Sequence, residues 1–167
     1  KEYGRALDLY ACGSCGFEFC PTAGDPTAHY AALSDAEYVG TTPQRVAQAR
    51  PLVRQLLARG KIHTLLDVGA GAGNLLLAAK EQGISATGVE PCRAFAEAGR
   101  AQGLSIVCGT LPHPEITPPF DAVTLVDVIE HVSAPKALLA ECLRHIAPGG
   151  ELLFVTPDRD SLAARLL

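Results

Sequence analysis

The chain has 167 residues, 48% hydrophobic and 19% charged, with a formal net charge of −4 at pH 7. That length allows one sizeable core with a small appendage, and two full domains would be a squeeze. The acidic balance argues against a nucleic-acid backbone as main partner, because phosphate neutralisation needs clustered Lys and Arg. The apolar runs are too short to cross a bilayer, and neither a membrane partner nor a secretory leader is expected.

The first forty residues are rich in Cys, Gly, Pro and Tyr and have little helical period. They open at Lys1, the sequence contains no Met and it closes on "SLAARLL", so a piece of a longer protein is expected. "YACGSCGFEFC" holds C-x-x-C-G at Cys12 and Cys15, half of a zinc-ribbon pattern. Those two thiols are candidate zinc ligands, but Cys20 and His29 complete the set only with irregular spacing, so zinc is not expected in this piece. Cys92, Cys108 and Cys142 are scattered through apolar contexts, which suits free thiols in a reducing cytoplasm.

Residues 42–59 read as a helix interrupted or restarted at Pro51, with Val46, Leu52, Val53, Leu56 and Leu57 sharing one face. From Leu65 onward, β-like runs alternate with helical patterns, the signal for parallel strands joined by crossover helices. The expected strands are 64–68, 85–89, 104–108, 122–127 and 151–155; the expected helices are 73–82, 92–102 and 135–146. Gly83, Gly103 and Gly149 fall just past these helices, where a left-handed cap needs no side chain. The division expected is a Cys-containing segment over 1–41 and a cofactor-binding domain over 42–167.

The stretch "LLDVGAGAGN" ends the first of those strands. A glycine-rich turn between strand and helix presents free backbone N–H groups and allows close approach of a ligand. Gly69, Gly71 and Gly73 give G-x-G-x-G, whereas the dinucleotide fingerprint G-x-G-x-x-G needs glycine where Asn74 stands. Asp67 beside the loop repels a pyrophosphate and attracts an ammonium or sulfonium, and Glu90 at the end of the next strand is suited to accept both hydroxyls of a ribose. The ligand these features select is a nucleoside that carries positive charge. The structural alternative is a tight turn beside two solvated strand ends.

Taken in order, "LLDVGAGAGN", "GVEP", "FDAVTLVDVIEHV" and "APGGELLFVTPD" resemble the motifs of class I S-adenosylmethionine-dependent methyltransferases, over about Leu65 to Pro157. The resemblance implies an α/β fold, a Rossmann-like three-layer sandwich with a mostly parallel sheet, five strands present and C-terminal strands missing. It implies S-adenosylmethionine as cofactor, with S-adenosylhomocysteine (SAH) as product. Gly69, Gly71 and Gly73 would line its methionine end, Asp67 would lie near its amino group, Glu90 would hold the ribose, and Gly109, Thr110 and Leu111 would lie near the adenine. Asp127, at the end of the fourth strand, counts with the cofactor-binding residues.

In "LVDVIEHV", His131 beside Asp127 and Glu130 is the candidate catalytic base on an acceptor hydroxyl, or a structural histidine capping the next turn. Some related enzymes hold a divalent metal at this segment, but His145 falls deep in a helix beyond it, so metal catalysis is not expected. The resemblance extends to a bacterial subgroup with an N-terminal zinc-ribbon-like segment, matched by Cys12 to Phe17, Tyr30 and Tyr38. Its first C-x-x-C would lie upstream of Lys1; otherwise the segment is a lid whose tyrosines cover the cofactor. The function expected is methyl transfer to a small molecule, on oxygen first and on carbon or nitrogen as alternatives. An NAD(P)-dependent oxidoreductase and a non-enzymatic zinc or cofactor-binding module are the competing classes.

Overall fold

A computed structural model of the chain describes residues 10–16, 18–19 and 42–158. The first two stretches form a small antiparallel hairpin, β1 (Tyr10–Ala11) and β2 (Glu18–Phe19), paired Tyr10 to Phe19 and Ala11 to Glu18. Phe17, Cys20, His29, Tyr30, Tyr38 and the terminal "SLAARLL" lie outside the described residues.

The remainder runs α1 (Thr42–Arg59), β3 (Thr64–Val68), α2 (Asn74–Glu81), β4 (Ser85–Glu90), α3 (Arg93–Ala101), β5 (Ser105–Cys108), β6 (Phe120–Val126), a 3-10 turn (Ile129–His131), α4 (Pro135–Arg144) and β7 (Ile146–Val155). All the pairings of the second sheet are parallel, in the order β5-β4-β3-β6-β7. This is the α/β, Rossmann-like layering expected from the alternation of strand and helix patterns. The strand order reverses at β3, whose successor β4 lies on one side and β6 on the other. Clefts form above the carboxyl ends of strands at such a point.

Each face of the sheet is covered by apolar side chains. Val46, Ala49, Val53 and Leu56 of α1 pack with Leu75, Ala78 and Ala79 of α2 over Leu65 and Ala122. On the other face, Leu66, Val68, Val89, Val123 and Leu125 meet Cys142 of α4. Side chains alternate along a strand, so Leu65 and Leu66 enter opposite layers.

Three expectations need correction. Helix α1 runs unbroken through Pro51, because the proline ring sits on the exposed face while the opposite face is anchored in the core. β7 begins at Ile146 rather than at Glu151, with an irregularity that sets Phe120 against Ile146 and Ala122 against Glu151. Gly149 therefore lies inside that irregular stretch, and α4 ends at Arg144 with His145 as its cap. Gly83 and Gly103 do follow their helices with φ of 75° each, and Ile84 and Leu104 donate back to Ala79 and Gly99, closing both helix ends.

Polar links hold the frame at its amino end. One oxygen of Asp121 accepts from the backbone N–H groups of His63 and Thr64 at 2.8 and 2.9 Å, and the Thr64 hydroxyl accepts from Asp121 N–H at 3.0 Å. Arg50 of α1 grips Glu81 of α2 through two N–H groups, at 2.8 and 2.9 Å. Among the described residues, no helix is long and apolar enough to cross a membrane.

Candidate cofactor cleft

A cleft of about 1240 Å³ opens above the carboxyl ends of β3, β4 and β6. Of the residues singled out from sequence, Asp67, Gly69, Gly71, Glu90, Gly109, Thr110, Leu111, Asp127 and His131 all line it. Ten candidate positions spread over more than sixty residues are thus reduced, Gly73 aside, to one wall-to-wall surface.

The glycine loop is shaped from its backbone outward. Gly69 and Ala70 both donate to the carbonyl of Val89, at 2.8 and 3.1 Å, which folds the loop over the end of β4. Gly69 has φ of 76°, and a Cβ there would stand 2.5 Å from Val128 Cγ2. Only glycine combines that backbone with that approach. Gly88 contributes from the neighbouring strand, because a Cβ on it would lie 2.6 Å from the Ala70 Cβ. Gly73 stands apart from the cleft. It precedes α2 with φ of 85°, and a Cβ on it would collide with Leu104, so its smallness serves packing between α2 and the approach to β5.

Glu90, with 6% of its surface exposed, holds the loop closed. Its Oε2 accepts from Gly71 N–H at 2.8 Å and its Oε1 accepts from Cys92 N–H at 2.7 Å, while Gly109 N–H reaches the Glu90 carbonyl at 2.9 Å. The carboxylate thereby joins the glycine loop to the β4–α3 turn, while the backbone carbonyl of the same residue holds the start of the loop after β5. Each oxygen keeps a further lone pair for a ligand. Burial pushes its pKa up from the ordinary carboxylate range, against the pull of those two N–H groups.

Asp67 is more deeply enclosed, at 4% exposure, and its Oδ1 accepts a 2.6 Å hydrogen bond from the Thr124 hydroxyl on β6. Burial drives its pKa up to about 7; the Thr124 hydrogen bond opposes the rise and the nearby Glu90 charge adds to it. A carboxyl poised at that value is readily ionised by an arriving cation.

Across the cleft, Asp127 has φ of 53° and donates its N–H to the Val155 carbonyl at 2.9 Å, which turns the chain out of β6. His131 closes the following 3-10 turn, with its Nε2 4.0 Å from Glu130 Oε1 and 47% of its side chain exposed. The imidazole is therefore within reach of a ligand entering from solvent. His145, by contrast, is buried at the end of α4 with its Nδ1 2.9 Å from the Glu141 carbonyl.

Sequence reasoning passed over Thr124 and Gly88 and treated Asn74 only as a missing glycine. A hydroxyl inside the apolar run "AVTLV", and a polar residue opening the apolar helix "NLLLAA", were the available signals. At the hairpin, Gly16 N–H bonds the Cys12 carbonyl at 2.8 Å and the Cys12 Sγ lies 3.1 Å from Ser14 Oγ. Hydrogen bonds to Ser14 and then to Cys15 pull the Cys12 thiol down to about 6. Among the described residues, no group of three or more His, Cys, Asp and Glu is arranged to hold a metal ion.

A parallel sheet reversing at β3, with a glycine loop and two buried acids above the reversal, places the chain in the Rossmann-like α/β class. Residues 40–167 match the methyltransferase domain family, and the chain belongs to it. The ubiquinone biosynthesis O-methyltransferase of Alkalilimnicola ehrlichii is 31% identical over 117 residues, covering 65% of this chain and 47% of that protein. Its counterpart from Idiomarina loihiensis is 33% identical, covering 58% of this chain and 43% of that protein. The chain thus spans about half the length of these relatives. Among solved structures, a methyltransferase from Thermotoga maritima described as a possible histamine N-methyltransferase superposes with a TM-score of 0.62 at 27% identity, covering 78% of this chain and 61% of that one. The plantazolicin methyltransferase solved with SAH has a TM-score of 0.68 at 15% identity, covering 85% and 61%; that likeness is one of fold.

Proposed function

We propose that the cleft binds S-adenosylmethionine and that the protein transfers its methyl group to a small-molecule acceptor, with oxygen as the acceptor atom. The observation that carries this is the buried pair of acids, Asp67 and Glu90, set on either side of a glycine loop whose Gly69 has no room for a side chain. Acids beside the loop disfavour the pyrophosphate of a nicotinamide dinucleotide and favour a cationic nucleoside. The residues also fit such a ligand in detail, since Asn74 keeps a buried side-chain oxygen without a partner on the same cleft.

In this reading Asp67 faces the amino end of the ligand, Glu90 adds ribose hydroxyls to the N–H groups it already accepts, and Gly109, Thr110 and Leu111 border the adenine. Asp127 borders the cofactor from the β6 side. The bound sulfonium supplies an already activated methyl group. The protein has then to align the acceptor and exclude water, and His131 takes the acceptor's proton. That the sequence relatives are O-methyltransferases by name supports oxygen over carbon or nitrogen. Buried single thiols at Cys92 and Cys142 support a reducing, cytoplasmic setting.

Calorimetry with SAH is expected to give a dissociation constant in the micromolar range, about −8 kcal/mol. A folded sample that takes up no SAH would refute the cofactor assignment. His131→Gln is expected to leave SAH affinity unchanged and to lower the rate of transfer to a hydroxyl acceptor by about 10²-fold or more; an unaltered rate would remove the base.

A further inference from the structure

Asn74 is the first residue of α2 and is only 8% exposed, yet its Oδ1 is buried with no hydrogen-bond partner. Buried amide oxygens are nearly always satisfied, because desolvating one without replacement is unfavourable. Nothing local removes the deficit. The helix is preceded by Gly73 in a left-handed conformation with no side-chain cap, and the acids that share the cleft floor, Asp67 and Glu90, are acceptors when ionised. On a lining shared with Asp67 and Glu90, and with Arg45 and Gln48 of α1, neither of which bonds it, this oxygen calls for a ligand group that donates, and the two acids favour one that carries positive charge.

We infer that Asn74 is a specificity-determining contact for the cofactor's α-amino group, its Oδ1 acting with the Asp67 carboxylate as a two-acceptor seat for an ammonium. This rests on the proposal that S-adenosylmethionine occupies the cleft. No protein group satisfies this oxygen, and the ligand does. An alanine at 74 therefore leaves the empty fold intact: it removes an unpaired buried acceptor and suits a helix.

The test uses two ligands, SAH and the analogue bearing a 3-carboxypropylthio group in place of homocysteine, which lacks only the α-amino group. With the parent chain, SAH binding reports on the cofactor proposal itself; its absence overturns that proposal and this one together. Given SAH binding, Asn74→Ala is expected to weaken SAH by about tenfold and to leave the analogue's affinity unchanged, with a melting temperature no lower than the parent's. An equal loss for both ligands, or no loss for either, overturns the contact while the cofactor proposal stands. Asn74→Ser, which keeps a small acceptor at the helix start, gives the same comparison if the alanine variant does not fold: its loss is expected to be smaller and again confined to SAH.

Discussion

Asp67 shows how one residue's surroundings shift the ionisation of an acid near a strand end. In the free protein its pKa is raised to about 7, so folding binds a proton there that the unfolded chain releases near pH 4. That contribution to stability is complete below the unfolded value and is lost as pH rises through 7. A ligand ammonium reverses the preference by favouring the carboxylate. SAH affinity is therefore expected to increase between about pH 6 and pH 8, measured by calorimetry across that range. Thr124→Val removes the hydrogen bond that favours the charged form, so the rise should move to higher pH. A flat profile in the parent would mean that Asp67 is already ionised or lies away from the ligand.

At the scale of elements, the three glycines of the loop divide their work, a division that their identical spacing does not reveal. Gly69 and Gly71 shape the cleft, whereas Gly73 lets α2 approach Leu104 and Ile106. Gly73→Ala is expected to destabilise the fold by about 1–3 kcal/mol through the left-handed backbone and the collision, read as a lower midpoint in urea. SAH affinity of the fraction that folds should change little. Gly149 teaches the same caution, since a glycine in the right place for a helix cap turned out to serve an irregular strand. Pro51 was misleading for a related reason: a ring facing solvent forfeits one helical hydrogen bond, while Val53 and Leu56 on the core side hold α1 through it.

For the whole molecule, the sheet is anchored by contacts between positions far apart in the chain. Asp121 ties the starts of β3 and β6, and the N–H groups of His63 and then Thr64 lower its pKa. A depressed carboxylate stabilises above its unfolded pKa and loses that contribution as pH falls through the folded value. Asp121→Ala is expected to lower stability at pH 7 by about 1 kcal/mol, with the difference from the parent shrinking toward pH 3 in denaturant titrations. A constant difference would show that the loss is one of packing.

Much of this fold was legible before any coordinates, because period and punctuation are local properties. The apolar runs ending in glycine or acid, the helical stripes between them and the loop "GAGAG" each carry their meaning within a few residues. The same locality explains the pairing of Asp67 and Glu90 as candidates, since both end strands that the pattern makes neighbours. What the sequence determined by itself was the order of elements, the glycine turn and the sign of charge beside it. Tertiary structure alone decided that Glu90 clasps Gly71 and Cys92, that burial raises the pKa of Asp67 against the pull of Thr124, that Gly73 belongs to packing, and that the Asn74 oxygen is left without a protein partner. Those facts depend on distance and burial between chain-remote atoms, and local pattern contains neither.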